Sequence, residues 1–132
     1  MDPFQSDLCQ EDFDREFYGQ ILKRGDSNTD VVRRQAELLA RFGDYEAALC
    51  LDRILTLRQP NDAVAHYNLA CSLGMSGHVR QAVTALGRAI ELGYSDFAHI
   101  LSDSDLDPLR DLASFQELLR RRIPDDVPPH IA

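Results

Sequence analysis

The sequence predicts an all-α protein built from repeated pairs of antiparallel helices, and an internal repeat is the main evidence for this. Residues 43–48, GDYEAA, align with residues 77–82, GHVRQA, 34 positions later. Gly43 coincides with Gly77 and Ala48 with Ala82. Two further pairs repeat at the same distance upstream, Ala36 with Ala70 and Leu39 with Leu73. A period of this length indicates a helix–turn–helix unit whose copies stack on one another.

Composition and charge indicate a single acidic domain of ordinary hydrophobicity. The chain has 132 residues, a net charge of -8 and 44% hydrophobic residues. Nucleic acids and anionic membranes need a basic surface, so neither is expected as a main partner. The acidic N-terminus lacks the apolar core of a signal peptide, and no stretch is long and apolar enough to span a membrane. We therefore expect a cytoplasmic location.

Cysteine usage points to the same compartment. The three cysteines, Cys9, Cys50 and Cys71, are odd in number and widely spaced. This pattern predicts free thiols in a reducing environment.

The N-terminal part predicts one helix over residues 8–24. Its apolar residues recur at helical spacing: Phe13, Phe17, Ile21 and Leu22. Moved forward by 34 positions, Phe17 and Ile21 coincide with apolar residues of the next segment, so this helix corresponds to the second half of a repeat. The stretch Gly25–Asn28 then breaks the chain, and Asn28 or Thr29 can cap the following helix.

The first full repeat is predicted over residues 29–62. Its two helices carry apolar residues at helical spacing: Val32, Ala36, Leu39 and Ala40, then Ala47, Ala48, Leu51, Ile54 and Leu55. Gly43 suits the left-handed conformation just past a helix end, and Ala36 and Ala48 allow the two helices to approach closely. Pro60 ends the return helix, and Asp62 can cap the next one.

The second full repeat, over residues 63–96, has the same layout. Its apolar residues are Tyr67, Leu69, Ala70 and Leu73 before the turn at Gly77, then Ala82, Leu86, Ala89 and Ile90. Its return helix is expected to end at Gly93 through a C-terminal glycine.

Residues 97–122 predict an atypical third repeat that seals the end of the stack. Phe97–Leu101 is long enough for a short helix only, and Asp103–Leu106 is expected to be a loop. Asp107-Pro108 has the sequence of a helix start, and Ser114–Glu117 has capping-box spacing, which opens a last helix through about Arg122. The domain thus spans residues 1–123, and residues 124–132 are expected to form a flexible tail.

The 34-residue period, with its small residue, glycine and alanine, resembles the tetratricopeptide repeat (TPR). Two positions depart from that family's pattern: Leu55 stands where a small residue is usual, and Tyr94 replaces a proline. The resemblance implies a right-handed superhelical stack, an α-solenoid of about seven helices. It also implies a non-catalytic adaptor or scaffold that binds a protein segment in a concave groove. A small TPR-type chaperone for an exported or unfolded substrate is the alternative.

The same resemblance implies which residues line that groove. They are Arg33, Arg34, Glu37, Arg41, Val64, Tyr67, Asn68, Cys71 and Met75. Cations beside an aromatic ring and an amide can hold an extended acidic or C-terminal peptide. The carboxylate clamp of some TPR domains is matched at Arg33 and Asn68, but Glu37, Ala98 and Ser102 depart from it.

No motif predicts catalysis, a cofactor or a metal. Asp103, Asp105 and Asp107 alternate as in a calcium loop, but Pro108 stands where that loop needs glycine and Ser114 where it needs glutamate. Cys71 is expected to be a core residue rather than a nucleophile. The basic cluster Arg120–Arg122 suits a helix C-terminus. An enzyme is therefore not expected.

Overall fold

Helices form all the regular structure in residues 29–127, the part of the chain that this computed structural model describes. Within that range there is no strand, which confirms the all-α prediction for these residues. The elements are α1 (Thr29–Arg41), α2 (Tyr45–Arg58), α3 (Ala63–Met75), α4 (Val79–Glu91), α5 (Phe97–Ser102), a 3₁₀-helix (Ser104–Leu109) and α6 (Ala113–Arg122). The helix predicted over residues 8–24 and the end of the predicted tail lie outside the described residues.

The helix starts repeat with a constant spacing of 34 residues. Three leading helices begin at Thr29, Ala63 and Phe97, and three return helices begin at Tyr45, Val79 and Ala113. The third leading helix is divided into α5 and the 3₁₀-helix, yet its last residue, Leu109, keeps the spacing from Arg41 and Met75. The period seen in two copies of the sequence therefore extends to a third pair of helices.

Three of these helices end in the same hydrogen-bonded motif. Gly43, Gly77 and Gly93 have φ angles of 85°, 88° and 110°, a region that side chains disfavour. Each glycine N–H donates to the carbonyl three residues earlier, at 3.0–3.2 Å. The next N–H donates to the carbonyl five residues earlier, at 2.8–2.9 Å. This is the Schellman motif, and it confirms all three predicted glycine ends.

The chain divides into two compact units, and the first ends at Pro60. In the first unit α1 packs against α2, with Ala36 and Ala48 buried as predicted. Asp44 caps α2 by accepting from the N–H of Ala47 at 3.3 Å. The guanidinium of Arg58 donates to Thr29 Oγ1 at 3.5 Å, so the end of α2 is tied to the start of α1.

In the second unit α3 packs against α4, and the buried alanines Ala70 and Ala82 repeat the pattern of the first pair. Asp62 caps α3 as predicted, accepting from the N–H groups of Val64 and Ala65. The 3₁₀-helix packs on α3 and α4, and α6 packs on α4. Phe115 of α6 is buried.

Three local predictions are wrong. The expected loop over Asp103–Leu106 is mostly 3₁₀-helix, and Pro108 lies inside that helix instead of opening a new one. Asp103 caps the 3₁₀-helix by accepting from the N–H of Asp105 at 3.0 Å, which removes the need for a cap at Asp107. The capping box also fails, because α6 begins at Ala113 and Glu117 pairs with Arg120.

The position at which α1 begins excludes Thr29 as the residue that caps it. Thr29 is already the first residue of α1, and the other candidate, Asn28, lies outside the described residues. Among the described residues no helix is long and apolar enough to cross a membrane.

The cysteines differ from one another. Cys71 is free, whereas Cys50 is disulfide-bonded, and Cys9 lies outside the described residues. The prediction of a free thiol is therefore confirmed at Cys71 and wrong at Cys50.

Candidate functional site

The groove residues predicted in the first unit form an exposed, mainly basic surface on α1. Arg34, Glu37 and Arg41 are exposed, and Arg33 is half-buried. Their positions fall on one side of the helix, away from the buried Val32 and Ala36. We call Arg33, Arg34, Glu37 and Arg41 the basic face. Arg33 donates to Gln59 Oε1 at 3.4 Å, so the end of α2 helps to position this guanidinium.

The groove residues predicted in the second unit are much less accessible. Val64 is exposed, but Asn68, Cys71 and Met75 are half-buried. Tyr67 is only 4% exposed, so the expectation that it lies open in a groove is wrong. Tyr67 and Cys71 occupy the positions of Arg33 and Glu37, 34 residues on. The same face is therefore open to solvent in the first unit and covered in the second.

Asp103 is the centre of the contacts that cover this face of α3. Its Oδ2 accepts a 2.6 Å hydrogen bond from the hydroxyl of Tyr67 and a 3.7 Å bond from the thiol of Cys71. Nε2 of His99 lies 3.1 Å from the same oxygen, and the Asp103 side chain is 12% exposed. Asp103, at which the third leading helix breaks, is thus held on α3 by the side chains of Tyr67 and Cys71.

Tyr94 also covers this face of α3. Its ring stacks on Tyr67, with centroids 4.2 Å apart and planes 1° from parallel. His99 tilts against Tyr67 at 5.6 Å. Tyr94 is placed by the Schellman motif at Gly93, because its own N–H donates to the carbonyl of Ala89. The substitution of the usual proline therefore supplies a packing partner for Tyr67.

Arg110 forms hydrogen bonds across the break in the third leading helix. Its Nη2 donates to the backbone carbonyls of Asp103 and Ile100, at 2.8 and 3.4 Å. Its Nε donates to Asp107 Oδ1 at 2.8 Å, and its guanidinium lies 5.8 Å from the centre of the Phe115 ring. One side chain thus links α5, the 3₁₀-helix and α6.

The electrostatics of this cluster keep its donors protonated. Burial, with the Asp103 carboxylate nearby, raises the pKa of the Cys71 thiol well above its ordinary value. Burial also raises the pKa of Tyr67 far above the usual range, and that of Tyr94 to about 12. A nucleophilic cysteine needs a lowered pKa, so this environment disfavours nucleophilic chemistry at Cys71.

Three possible metal ligands lie in the same cluster. Cys71, Asp103 and Asp105 offer ligand atoms within 4.8 Å of one another. Metal binding requires the thiolate, whereas the surroundings of Cys71 favour the thiol. The Asp103 oxygens already accept from Tyr67 and from the N–H of Asp105. The arrangement is explained by hydrogen bonding alone.

A groove of about 460 Å³ lies between α4 and α6 of the second unit. Its lining combines the apolar Val83, Gly87 and Leu118 with the charged Glu91, Glu117, Arg121 and Arg122. Two arginines of the predicted basic cluster thus line a concave surface and also stand in the last turn of α6.

Sequence reasoning places Tyr67 and Cys71 on one face of α3 but misses what covers that face. Asp103 is 36 residues from Tyr67, and no local pattern connects them. The available signal is Tyr94, an aromatic residue at a position where the resembled repeat has proline. By itself, that residue indicates only a change in how α4 ends.

Comparison with curated proteins finds a relative in a plant. This chain is 36% identical over 91 positions to a chloroplast protein of Arabidopsis thaliana. The alignment covers 67% of this chain and 27% of that protein, so the chain spans about a quarter of its relative's length. No family model matches the chain, and no solved structure matches it.

Proposed function

We propose that this chain is a short TPR-like protein, a right-handed stack of helix pairs, that binds a segment of another protein and catalyses no reaction. The observation that carries the proposal is the constant spacing of the helix starts. Leading helices begin at Thr29, Ala63 and Phe97, and each return helix begins 16 residues after its leading helix. Proteins built from such repeats use their extended surfaces for binding.

The basic face of α1 is the part of the predicted groove best suited to a partner. Arg34 and Arg41 are exposed, and Arg33 is held in place by Gln59. Arginine forms charge-assisted hydrogen bonds to carboxylates, often in pairs. We therefore propose an extended segment with carboxylates, either acidic side chains or a C-terminus, as the ligand of this face.

The non-catalytic part of the proposal is supported by the chemistry of the clustered titratable groups described above. Burial raises the pKa of Cys71 and of Tyr67, so neither is an activated nucleophile or base at neutral pH. The cluster instead connects α3 to the third leading helix through Asp103.

The test is a binding measurement on a purified partner. Proteins captured from a lysate of the source cells are identified by mass spectrometry, and the partner is titrated calorimetrically against variants. Arg33→Ala with Arg41→Ala should weaken binding by roughly 1.5–3 kcal/mol, since hydrogen bonds to charged groups contribute about that much. Asn68→Ala is measured separately, because Asn68 lies in the other unit.

Arg80→Ala with Arg88→Ala is the matched control. Both arginines are on α4, and the pair of substitutions removes the same charge. Equal affinity of the α1 double variant and the wild type would move the binding surface elsewhere, with the groove between α4 and α6 as the next candidate. Capture of many unrelated apolar segments would instead favour the chaperone.

The proposed location is the cytoplasm, from the acidic composition of the chain. The relative is named as a chloroplast protein, which is a property of that protein. Fractionation of source cells, with the chain detected by antibody, decides between a cytoplasmic and an organellar location.

A further inference from the structure

The groove between α4 and α6 has a definite length, which both helices share. Its lining runs from Val83 to Glu91 on α4 and from Ser114 to Arg122 on α6, so the last lining residue lies eight positions after the first on each helix. At 1.5 Å per residue along a helix, each wall is roughly 12 Å long. An extended chain advances about 3.3 Å per residue, so the groove matches a segment of about four residues.

The two carboxylates that line this groove are already paired. Glu91 lies 3.6 Å from the guanidinium of Arg88, and Glu117 accepts hydrogen bonds from Arg120 at 2.7–3.0 Å. The bonds from Arg120 lower the pKa of Glu117, so its carboxylate form is favoured. Neither of these two arginines is part of the lining. The negative charges of the groove are therefore compensated from outside it.

Two cations of the lining have no such partner. Arg121 and Arg122 are exposed, and within residues 29–127 neither forms an ion pair. The whole chain has a net charge of -8, but charges act over only about 8 Å at physiological salt. The nearby arginines therefore decide what the groove attracts. Charge complementarity favours a ligand with carboxylates, to which arginine forms charge-assisted hydrogen bonds.

Gly87 is the part of the lining that folding alone does not explain. It lies inside α4, where glycine lowers helix stability relative to alanine, and it is not among the glycines with positive φ. An added Cβ would meet Leu118 Cδ1 at 3.6 Å and Cδ2 at 4.0 Å, which are ordinary contact distances. Neither a turn nor close packing requires glycine here. What its missing side chain provides is space in the groove.

We propose that the groove between α4 and α6 is a second docking surface, which takes a short extended segment of another protein. An apolar side chain of that segment occupies the space at Gly87, beside Val83 and Leu118, and neighbouring carboxylates pair with Arg121 and Arg122. This groove is formed by other helices than the basic face of α1. The inference therefore goes beyond the proposed function and does not depend on it.

The test is an NMR titration of the isotope-labelled full chain with two synthetic peptides. The probe is a capped pentapeptide with leucine between two pairs of aspartates, and the comparison peptide has lysine in place of each aspartate. The probe should shift the amides of Val83, Gly87 and Leu118 in a saturable way at millimolar concentration, whereas the lysine peptide should not. Absence of saturable shifts at these amides, or equal binding of the two peptides, would overturn the proposal.

Two variants test the two parts of the groove. Arg121→Ala with Arg122→Ala should weaken probe binding at least about fivefold, because charge-assisted bonds are lost. Gly87→Leu should weaken it at least about fivefold without lowering the melting temperature, because leucine fills the space and is a better helix former. Arg34→Ala with Arg41→Ala is the matched control: it removes the same charge from exposed positions of α1 and should leave the shifts in α4 and α6 unchanged.

Unchanged affinity of the arginine double variant would overturn the proposal. That variant remains informative even if Gly87→Leu folds poorly, because exposed arginines contribute little to folding. If Gly87→Leu keeps its melting temperature and binds the probe as the wild type does, the space at Gly87 has no part in binding and the proposal is equally wrong.

Other occupants of the groove would give different results, and each would overturn the proposal. Shifts of the same amides when the protein is concentrated without peptide would assign the groove to a second copy, because association depends on concentration. Probe binding that tightens at least about tenfold after deletion of residues 124–132 would assign it to the chain's own end, since a competing occupant lowers apparent affinity.

The outcomes separate this inference from the proposed function. Failure of the probe in the groove would leave the dependence of partner binding on Arg33 and Arg41 as it was measured. Probe binding in the groove, with no effect of those two arginines on the captured partner, would reject the basic face alone.

Discussion

Tyr67 and Asp103 are joined by a 2.6 Å hydrogen bond, and Asp103 is the residue at which the third leading helix breaks. The bond replaces solvent contact on the side of α3 that the sequence predicts to be a groove. The ring of Tyr94 stacks on Tyr67 at the same place, and Tyr67 is only 4% exposed. In this unit, the face of α3 that corresponds to the exposed basic face of α1 holds the chain's own third leading helix.

Removing the Tyr67 hydroxyl should destabilise the second unit. Tyr67→Phe keeps the stack on Tyr94 but takes a donor from a carboxylate that is mostly buried. Bonds to charged groups contribute roughly 1.5–3 kcal/mol, and we expect a loss of that order in urea unfolding. Tyr45→Phe is the control, because Tyr45 is half-buried in the other unit and should change stability by less than about 0.5 kcal/mol. Equal effects of the two would show that the bond contributes nothing.

Asp105 should make the protein less stable as the pH rises. Burial and the charge of Asp103 raise the pKa of Asp105 above its ordinary value. A raised carboxyl pKa favours the protonated form in the folded state, so this stabilisation is complete below the unfolded pKa and is lost as pH rises through the folded one. Asp105→Asn should therefore stabilise the protein at pH 7, by less than about 1 kcal/mol at this half-exposed site.

The gain from Asp105→Asn should shrink toward zero as the pH approaches about 3, where both states of the wild type carry a proton on Asp105. Unfolding curves of both proteins at about pH 3, 5 and 7 measure this change. A gain that is the same at all three values would contradict the raised pKa.

The crossing of α3 and α4 depends on small side chains. Ala82 is fully buried, and Ala82→Leu should overpack the crossing at a cost of roughly 1–3 kcal/mol. Ala113→Leu adds the same atoms at a more accessible position and should leave the thermal melt nearly unchanged. If the melting temperature of Ala82→Leu matches that of the wild type, the space between α3 and α4 accommodates a leucine without strain.

The last helix should act as a cap. Phe115 is buried, and a Cβ on Gly87 would lie 3.6 Å from Leu118 Cδ1, so α6 sits close on α4. Deleting residues 114–132 should lower stability or cause self-association, because it exposes apolar surface. Deleting only residues 124–132 should do neither. Size-exclusion chromatography and melting curves of both truncations decide this, and similar behaviour of the two would contradict the capping role.

Two glycines should respond to alanine in opposite directions. Gly87 lies inside α4, and an added Cβ would meet Leu118 only at ordinary contact distance, so Gly87→Ala should stabilise by about 0.5–1 kcal/mol. Gly93 has a φ of 110°, and Gly93→Ala should destabilise by roughly 1–2 kcal/mol. Chemical unfolding of both variants tests the pair. The same sign for both would mean that the conformation at Gly93 relaxes without strain.

Much of the fold could be predicted because the informative residues act locally. Gly43, Gly77 and Gly93 end their helices through their own backbone, and Asp62 caps α3 from the position just before its first residue. The alternating aspartates misled the prediction for the same reason. Taken alone, Asp103–Asp107 has the composition of a loop, and the bonds from Tyr67 and Arg110 hold it as a 3₁₀-helix.

The candidate site was predictable as a side of a helix but not as an accessible surface. The period correctly placed Arg33, Tyr67 and their neighbours at equivalent positions. Whether such a position meets solvent depends on residues far along the chain. No residue next to Tyr67 indicates that Tyr94 and Asp103 will cover it.

The constant spacing of the helices determines where the chain can accept an additional helix pair. A further copy of residues 29–62 placed before Ala63 would meet the same glycine turn, the same Asp62 cap and the same spacing at both joints. A copy placed after Asp96 would have to separate Tyr67 from Asp103. The hydrogen bond between Tyr67 and Asp103 therefore ties the third leading helix to α3 and leaves no place for a further helix pair between them.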